Sequence, residues 1–268
     1  MLLLSYQFFI NAIIGVLLIS VAAAMVGTYI VTRRMVAISG GITHSCFGGL
    51  GLGCYLGWNP MLLAGVFAIA SALGVEWLSA RQRVREDSAI AVVWAVGMAV
   101  GVVFVFLTPG YVPELNSFLF GNILTISRTD LWIFAVYLAL LAAFFLWKYD
   151  QIIACAFDAD FARVCHLPVR MVNTVMILLV AVCIVLTIRL VGIMLLMSMF
   201  SLPQLTAEVF SHRFRGMMLL SVVISAVSSV AGLFLGAYID VPASALIVIV
   251  MALVFALAKL LRPLLNKR

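Results

Sequence analysis

The sequence predicts an all-α, polytopic membrane protein, and three features of its composition and pattern lead to that prediction. Of the 268 residues, 66% are hydrophobic and only 10% are charged. Soluble domains have about 45–50% apolar and about 25% charged residues, so a water-soluble globule is excluded. A bilayer core about 30 Å thick needs about 20 apolar residues per helix, which leaves room for about eight or nine spans in a transmembrane helical bundle. We expect a single membrane domain, residues 1–268.

Nine apolar stretches account for these spans. We expect helices at 8–31, 36–56, 61–80, 88–107, 131–147, 171–190, 191–206, 217–237 and 243–261. The first stretch lacks the basic start and small-residue cleavage site of a secretory signal, so it is expected to stay as a helix.

Turns and polar segments separate the spans. Residues 57–60, Gly-Trp-Asn-Pro, are expected to form a tight turn after the second span, because proline cannot continue the preceding helix. The stretch 111–130 is too polar for a lipid-exposed span and is expected to re-enter the protein, where its backbone is buried. The segment 148–170 is the longest hydrophilic stretch of the chain.

The basic residues indicate an orientation. If the amino terminus lies outside and each span crosses once, all of the 16 lysines and arginines except Arg128 and Arg189 fall on the cytoplasmic side. Cytoplasmic loops are enriched in these residues. We therefore predict an external amino terminus and a cytoplasmic carboxyl terminus, and the net charge of +6 indicates topology rather than nucleic-acid binding.

The sequence lacks common nucleotide-binding and catalytic motifs and paired cysteines. It has no GxxxxGK[ST], HExxH, GxGxxG or GxSxG motif, so we expect a non-enzyme without a cofactor, and any ATP chemistry must come from another polypeptide. The cysteines are scattered without a CxxC pair and are predicted to be free thiols. They are Cys46, Cys54, Cys155, Cys165 and Cys183.

The second span is rich in glycine. Gly49, Gly53 and Gly57 recur every fourth residue and form one smooth face. Small residues at that spacing let helices approach closely in lipid, which favours tight packing. A backbone surface that lines a narrow pore is the alternative interpretation.

His44 lies inside the same apolar span, with Gly40 and Gly48 one turn away on its face. An ionisable side chain at that depth is costly and usually faces a cavity or a partner. A neutral imidazole binds zinc, manganese or iron. We predict that His44 is a transient ligand on a metal pathway, and a hydrogen-bonded packing histidine is the alternative.

Stretches along nearly the whole chain resemble, in order, the permease family of bacterial zinc, manganese and iron ABC importers. They are RRM at 33–35 with Ile38, Ser39, Ile42 and His44, EDSAI at 86–90, SFLFGNIL at 117–124, FDADFAR at 157–163 with LPV at 167–169, and VGIML at 191–195 with Pro203, Thr206 and Ala207.

The resemblance implies an ABC importer permease in the bacterial inner membrane that imports zinc or manganese, with iron as a further candidate. It implies a homodimer surrounded by lipid, two cytoplasmic ATPase subunits and an extracytoplasmic metal-binding protein. Residues 158–166 would be the coupling helix that docks in a groove of the ATPase. The coupling residues would be Phe157, Asp158, Phe161, Ala162 and Arg163.

The residues support this helix independently. It lies in the longest polar segment, on the predicted cytoplasmic side, and Phe157 and Phe161 recur at helical spacing. An ordinary amphipathic interfacial helix is the alternative. His166 is predicted to be a surface residue rather than a ligand.

One position departs from the family pattern. Members of the family usually carry an acidic residue where this sequence has Gly40, four positions before His44. A carboxylate there would share one helix face with the imidazole and hold a divalent ion with it. Its loss should weaken the hold on a hard cation such as manganese and leaves the metal open.

The sequence also allows a second transport function, and its remaining charged residues have structural interpretations. A permease for a metal chelate such as a siderophore, cobalamin or haem is the main alternative. A secondary carrier would need paired ionisable residues at mid-membrane and repeated halves, and an enzyme would need a catalytic set. Glu86 and Asp87 are predicted to cap a helix. Glu208 with His212 fits a solvated face better than an exit-side ligand set, and Met194, Met197 and Met199 fit a core better than a soft-ion site.

Overall fold

A computed structural model describes residues 6–82, 84–109, 121 and 123–265, and within them the protein is helical without a strand. The helices are α1 (Gln7–Thr32), α2 (Val36–Leu56), α3 (Pro60–Gln82), α4 (Glu86–Leu107), α5 (Arg128–Phe157), α6 (Ala159–Val164), α7 (Val169–Met199), α8 (Leu202–Phe210), α9 (Phe214–Ile239) and α10 (Ala243–Leu265). A short 3₁₀ turn, Ile123–Thr125, precedes α5. The all-α prediction is confirmed.

Seven segments of the described chain are long and apolar enough to cross a bilayer. They are Gln7–Thr32, Pro60–Ser79, Glu86–Leu107, Arg128–Phe157, Val169–Phe210, Phe214–Ile239 and Ala243–Arg262. The number is roughly consistent with the predicted eight or nine. It is smaller because the glycines and His44 lower the hydropathy of α2, and because the predicted spans 171–190 and 191–206 join.

Exposed tryptophans bracket α3. Trp58, just before the helix, is 65% exposed, and Trp77, near its end, is 50% exposed. From Pro60 to Trp77 the helix rises about 26 Å, close to the thickness of the hydrocarbon core. Tryptophan is enriched at both membrane–water interfaces. The two indoles therefore mark the ends of this span.

Helix α5 extends beyond the predicted end of its span. The predicted span ends at Trp147, which is 73% exposed, and the next residue, Lys148, leaves helical geometry with φ −116° and ψ 22°. Beyond this kink the helix continues to Phe157. The start of the polar segment 148–170 is therefore helical rather than a loop.

Helix α7 is also interrupted, at Gly192, where φ is 80° and ψ is 173°. Only glycine adopts that conformation without strain. The predicted span 191–206 is wrong as one continuous helix: α7 continues to Met199, and α8 begins after Ser201 with Pro203 in its first turn. Proline suits a first turn because its missing N–H has no partner there anyway.

The helices divide into two compact units. The first contains α1, the 3₁₀ turn, α5 up to Trp147, α7 from Leu190 onward, and α8, α9 and α10. The second contains α2, α3, α4, α5 from Lys148, α6 and α7 up to Arg189. The kinks at Lys148 and Gly192 lie at or close to the two boundaries.

Polar side chains join the helices of the first unit. The amide nitrogen of the fully buried Gln204, in α8, donates to the carbonyl oxygens of Ala23 at 2.8 Å and Met199 at 3.1 Å. The hydroxyls of Ser225 in α9 and Ser20 in α1 lie 3.1 Å apart. These bonds satisfy the Gln204 amide nitrogen and the two hydroxyls, which would be costly to bury without a partner.

Only part of the stretch 111–130 can be compared with its predicted re-entrant course, because residues 111–120 and 122 lie outside the described residues. The 3₁₀ turn that follows is tied to α1. The Asn11 side-chain nitrogen donates to the carbonyl oxygen of Ile126 at 3.1 Å. Asn11 and Ile126 are both buried.

In the second unit, α2 lies against the backbone of α3. A Cβ atom on Gly49 would collide with the carbonyl group of Leu63, and one on Gly53 would lie 2.6 Å from the Cα atom of Pro60. The tight-packing interpretation is thus confirmed for these two glycines. Gly57 differs: it ends α2 in the left-handed conformation, with φ 68°, and has open space around it.

The other side of α2 lies equally close to α4. A Cβ atom on Gly97 would lie 2.5 Å from the Cα atom of Ser45, and one on Gly51 would lie 2.5 Å from the carbonyl oxygen of Gly101. Glycines on both helices thus make this contact possible. The close approach also determines which side chains of α2 and α4 meet.

We expect Gly49→Ala to destabilise the second unit by about 1–3 kcal/mol, because the new methyl group meets rigid backbone and forces the helices apart. The free energy of unfolding in mixed micelles measures the effect. Gly65→Ala, on α3, is the matched control, since its Cβ atom would lie 3.8 Å from its nearest neighbour. Equal stability of the two variants would contradict the role given to Gly49.

Candidate functional site

His44 stacks face to face on Trp94. The ring centroids are 4.5 Å apart and the planes differ by 5°. The imidazole is half-buried, and Trp94, in α4, is 37% exposed. The pair therefore lies at an open surface of the second unit rather than in its sealed core.

The stacked indole covers one face of the imidazole and leaves the edge of the ring uncovered. Neither ring nitrogen of His44 has a hydrogen-bond partner in the described part of the chain. A neutral imidazole binds a metal through the nitrogen that carries no proton, whose lone pair lies in the ring plane. The geometry thus leaves both ring nitrogens of His44 without a hydrogen-bond partner among the described residues.

The described residues of one chain do not supply a complete ligand set around His44. Gly40, one turn earlier, is buried and has no side chain to bind a metal. The hydroxyl of the neighbouring Thr43 is buried and has no hydrogen-bond partner among the residues that the structure describes. Among the described residues, no group of three or more His, Cys, Asp or Glu side chains lies close enough to hold an ion. Further ligands would have to come from water or another chain.

The helix that carries Trp94 is largely uncovered. Only 17% of the residues in the apolar stretch of α4 are buried. Its exposed apolar residues include Val92, Val96, Val103 and Phe106, the last 84% exposed. This face is available to lipid or to a second protein surface.

The predicted coupling residues lie together at the short helix α6. Asp158 is its N-cap, and one carboxylate oxygen accepts hydrogen bonds from the backbone N–H groups of Asp160 at 3.0 Å and Phe161 at 2.9 Å. Such a bond satisfies amide groups that have no partner within the helix. The local sequence therefore starts the helix where the sequence analysis placed it.

Helix α6 has one buried side and one exposed side. Ala162 is fully buried, and its carbonyl oxygen accepts a hydrogen bond from the amide of Leu167 at 3.0 Å. Phe157 and Phe161 are 58% and 64% exposed, which is unusual for rings outside a membrane span. Arg163 is also exposed and forms an ion pair with Asp160 at 2.6 Å. An exposed aromatic pair on a short, capped helix is suited to contact another protein.

Glu76 and Trp94 were not singled out by the sequence analysis. Glu76 lies within the span of α3 and accepts a hydrogen bond from the Thr174 hydroxyl of α7 at 2.5 Å. The general rule that an ionisable residue inside a span marks a candidate site would have found it. Nothing in the sequence pattern pairs Trp94 with His44.

Glu76 lines a polar cavity of about 410 Å³ in the second unit. Its charged and amide side chains are Arg33, Glu76, Glu86, Arg163, Arg170 and Asn173. Glu86 forms an ion pair with Arg33 at 3.3 Å.

The predicted cap of α4 is wrong in detail. Arg85 is the N-cap of this helix and makes no side-chain cap bond, while Glu86 and Asp87 lie in the first turn.

The other histidines, the methionines and the cysteines named in the sequence analysis lie as follows. Glu208 and His212 are both exposed, as a solvated face requires, and His166 is exposed as predicted. Met199 is fully buried and fills the core of the first unit, while Met194 is 44% exposed. All five cysteines are free, as predicted.

The comparison with known proteins covers almost the whole chain. The model of the ABC 3 transport family matches residues 5–262. An uncharacterized membrane protein of Synechocystis sp. is 34% identical over 95% of this chain and 91% of its own length. The manganese transport system membrane protein MntC of Halalkalibacterium halodurans is 30% identical over 97% of this chain and 89% of its own.

The fold matches a solved structure as well. The structure titled PsaBC from Streptococcus pneumoniae in complex with Fab aligns with a TM-score of 0.82 and 26% identity, and the alignment covers 96% of this chain and 92% of the other. The fold and the sequence relationship thus agree over nearly the whole chain. This chain belongs to the ABC 3 transport family.

Proposed function

We propose that this chain is the membrane permease subunit of an ATP-driven importer for a divalent metal ion, either zinc or manganese, with iron as a further candidate. The whole of residues 1–268 would act as one permease domain. The observation that carries the proposal is the match of residues 5–262 to the model of the ABC 3 transport family, together with a relative named as a manganese transport system membrane protein. The name of the Halalkalibacterium relative favours a metal ion over a chelate such as a siderophore, cobalamin or haem.

ATP would be hydrolysed by a separate cytoplasmic subunit. The sequence has no phosphate-binding motif of the form GxxxxGK[ST]. The exposed Phe157 and Phe161 on the capped helix α6 would dock in a groove of that subunit, beside Asp158, Ala162 and Arg163. An extracytoplasmic metal-binding protein would deliver the ion to the opposite side.

The permease would lie in the bacterial inner membrane. The distribution of lysine and arginine supports an external amino terminus and a cytoplasmic carboxyl terminus. With that orientation, α6 faces the compartment that contains ATP. The external side would receive the ion and the cytoplasmic side would release it.

Two copies of the chain would form the route. His44 presents a free ring edge at an open surface, and the described residues of one chain do not include the ligands for a complete site. A second copy would bring a second imidazole to the same passage. Few ligands are appropriate for a pathway, since an ion in transit must also be released.

The ligand chemistry favours zinc over manganese at this point of the route. Imidazole suits zinc and iron, whereas manganese prefers carboxylate, carbonyl and water oxygens. Gly40 brings no carboxylate to the face of His44. We therefore expect ATP-dependent uptake of zinc to exceed that of manganese.

Uptake by the complete complex tests this function. The permease, its ATPase and its binding protein are reconstituted in vesicles, and zinc and manganese are supplied to the side of the binding protein. We expect accumulation that requires ATP on the other side. Accumulation of a siderophore or cobalamin without any metal-ion uptake would contradict the proposal.

Gly40→Asp tests the origin of the preference. An aspartate one turn before His44 adds an oxygen ligand, so the manganese-to-zinc uptake ratio should rise about tenfold, or about 1.4 kcal/mol. Gly40→Asn has the same size without the charge and is the matched control. A similar ratio for both variants would show that the carboxylate has no part in selection.

A further inference from the structure

A groove on the surface of the second unit includes Arg163 of α6, and its other lining residues have no role in the proposed transport cycle. It has a volume of about 760 Å³ and is open on one side. Its lining is largely apolar, with two arginines and no acidic residue. The lining residues are Arg163, Leu167, Pro168, Val169, Arg170, Met171, Thr174 and Val175.

The two arginines differ in their ion pairs. Arg163 pairs with the carboxylate of Asp160 at 2.6 Å, which offsets part of its charge. Arg170 is exposed and has no hydrogen bond or ion pair within the described residues. Its five N–H donors are therefore available to an anion from outside the chain.

The position of the groove relative to the bilayer follows from contacts inside the second unit. Thr174 bonds to Glu76, and the next residue, Trp77, is half exposed near the end of its span. Tryptophan marks the boundary between hydrocarbon and headgroups. Arg170 lies one turn before Thr174, about 6 Å further along the helix. The guanidinium is thus at the level of the headgroups.

The apolar part of the groove lies beside the arginine. Met171 is 48% exposed, and Val175, one turn along α7, lies on the same side. An apolar surface at this depth faces acyl chains, while arginine at the edge of the bilayer interacts with phosphate groups. One molecule with both chemistries fits both parts.

We propose that this groove binds an anionic phospholipid, whose phosphate is held by Arg170 with help from Arg163 and whose acyl chain lies along Met171 and Val175. The groove adjoins α6 and shares Arg163 with it. A bound lipid therefore contacts the element proposed to dock the ATPase. The site is independent of the metal route.

Lipid binding by the full-length chain tests the proposal. Native mass spectrometry in detergent counts adducts of phosphatidylglycerol and of phosphatidylcholine with identical acyl chains. We expect the protein to prefer phosphatidylglycerol and Arg170→Gln to weaken its binding about fivefold, the share of one arginine near a membrane surface. Arg170→Lys should keep most of the binding, because it keeps the charge.

Matched controls separate the sources of binding. Arg215→Gln removes an exposed arginine outside the groove and should change nothing. Met171→Gln should weaken the binding of both lipids. Met194→Gln changes an exposed methionine elsewhere on α7 and should leave the binding of both lipids unchanged. Undiminished phosphatidylglycerol binding by Arg170→Gln would overturn the proposal. So would full displacement of the lipid by millimolar inorganic phosphate, which would indicate a site for a free anion.

Discussion

Replacing His44 with alanine should reduce ATP-dependent metal uptake at least tenfold while leaving the protein inserted and assembled. The imidazole is half-buried and stacks on Trp94, and its nitrogens have no hydrogen-bond partner within the described residues, so its removal breaks no bond there. Loss of an outer-shell residue of a metal site reduces affinity by about 10–100-fold. A direct ligand should matter at least as much.

The measurement is the initial rate of uptake in the reconstituted complex, with the amount of folded protein determined by size-exclusion chromatography. His212→Ala removes an exposed histidine and should leave uptake unchanged. Normal uptake by a stably inserted His44→Ala variant would remove this residue from the mechanism.

Trp94 allows a finer test of the same site. Trp94→Phe keeps an aromatic surface for the imidazole, whereas Trp94→Ala removes it. Aromatic stacking contributes about 0.5–1.5 kcal/mol, so the alanine variant should lose about two- to tenfold in uptake. A loss for Trp94→Ala without a loss for Trp94→Phe would indicate that an aromatic face at position 94 orients the imidazole.

Replacing Phe161 with alanine should weaken binding of the ATPase about thirtyfold, which corresponds to a loss of about 2 kcal/mol. The ring is 64% exposed on α6, and a large aromatic side chain at the centre of an interface often dominates its affinity. Co-purification and a measured Kd for the ATPase report the change. Phe210→Ala, which removes a ring that is 52% exposed at the end of α8, should have no effect.

Asp158 tests whether the shape of α6 matters as well. Asp158→Ala removes the two hydrogen bonds that start the helix and should destabilise it by about 1 kcal/mol. Asp158→Asn keeps an oxygen acceptor at the N-cap and should retain most ATPase binding. Unchanged co-purification for both Phe161→Ala and Asp158→Ala would contradict the assignment of α6 as the coupling helix.

The sequence by itself determined the features that depend on neighbouring residues. Apolar runs placed the spans, because a bilayer admits only helices whose backbone groups bond internally. The aspartate at 158 started α6, because its side chain reaches amides two and three residues away. The glycine spacing in α2 indicated close packing, which Gly49 and Gly53 confirm.

The tertiary structure alone decided the features that join distant parts of the chain. His44 meets Trp94, and Glu76 meets Thr174, only because α2 packs on α4 and α3 on α7. Helical periodicity says which face of a helix is apolar and not which helix covers it. The breaks at Lys148 and Gly192 likewise interrupt helices. The local sequence pattern around Gly192 predicts an unbroken apolar span, and only the structure shows the kink. Close backbone contact, possible where glycines remove the side chains between two helices, brings residues fifty positions apart to one surface.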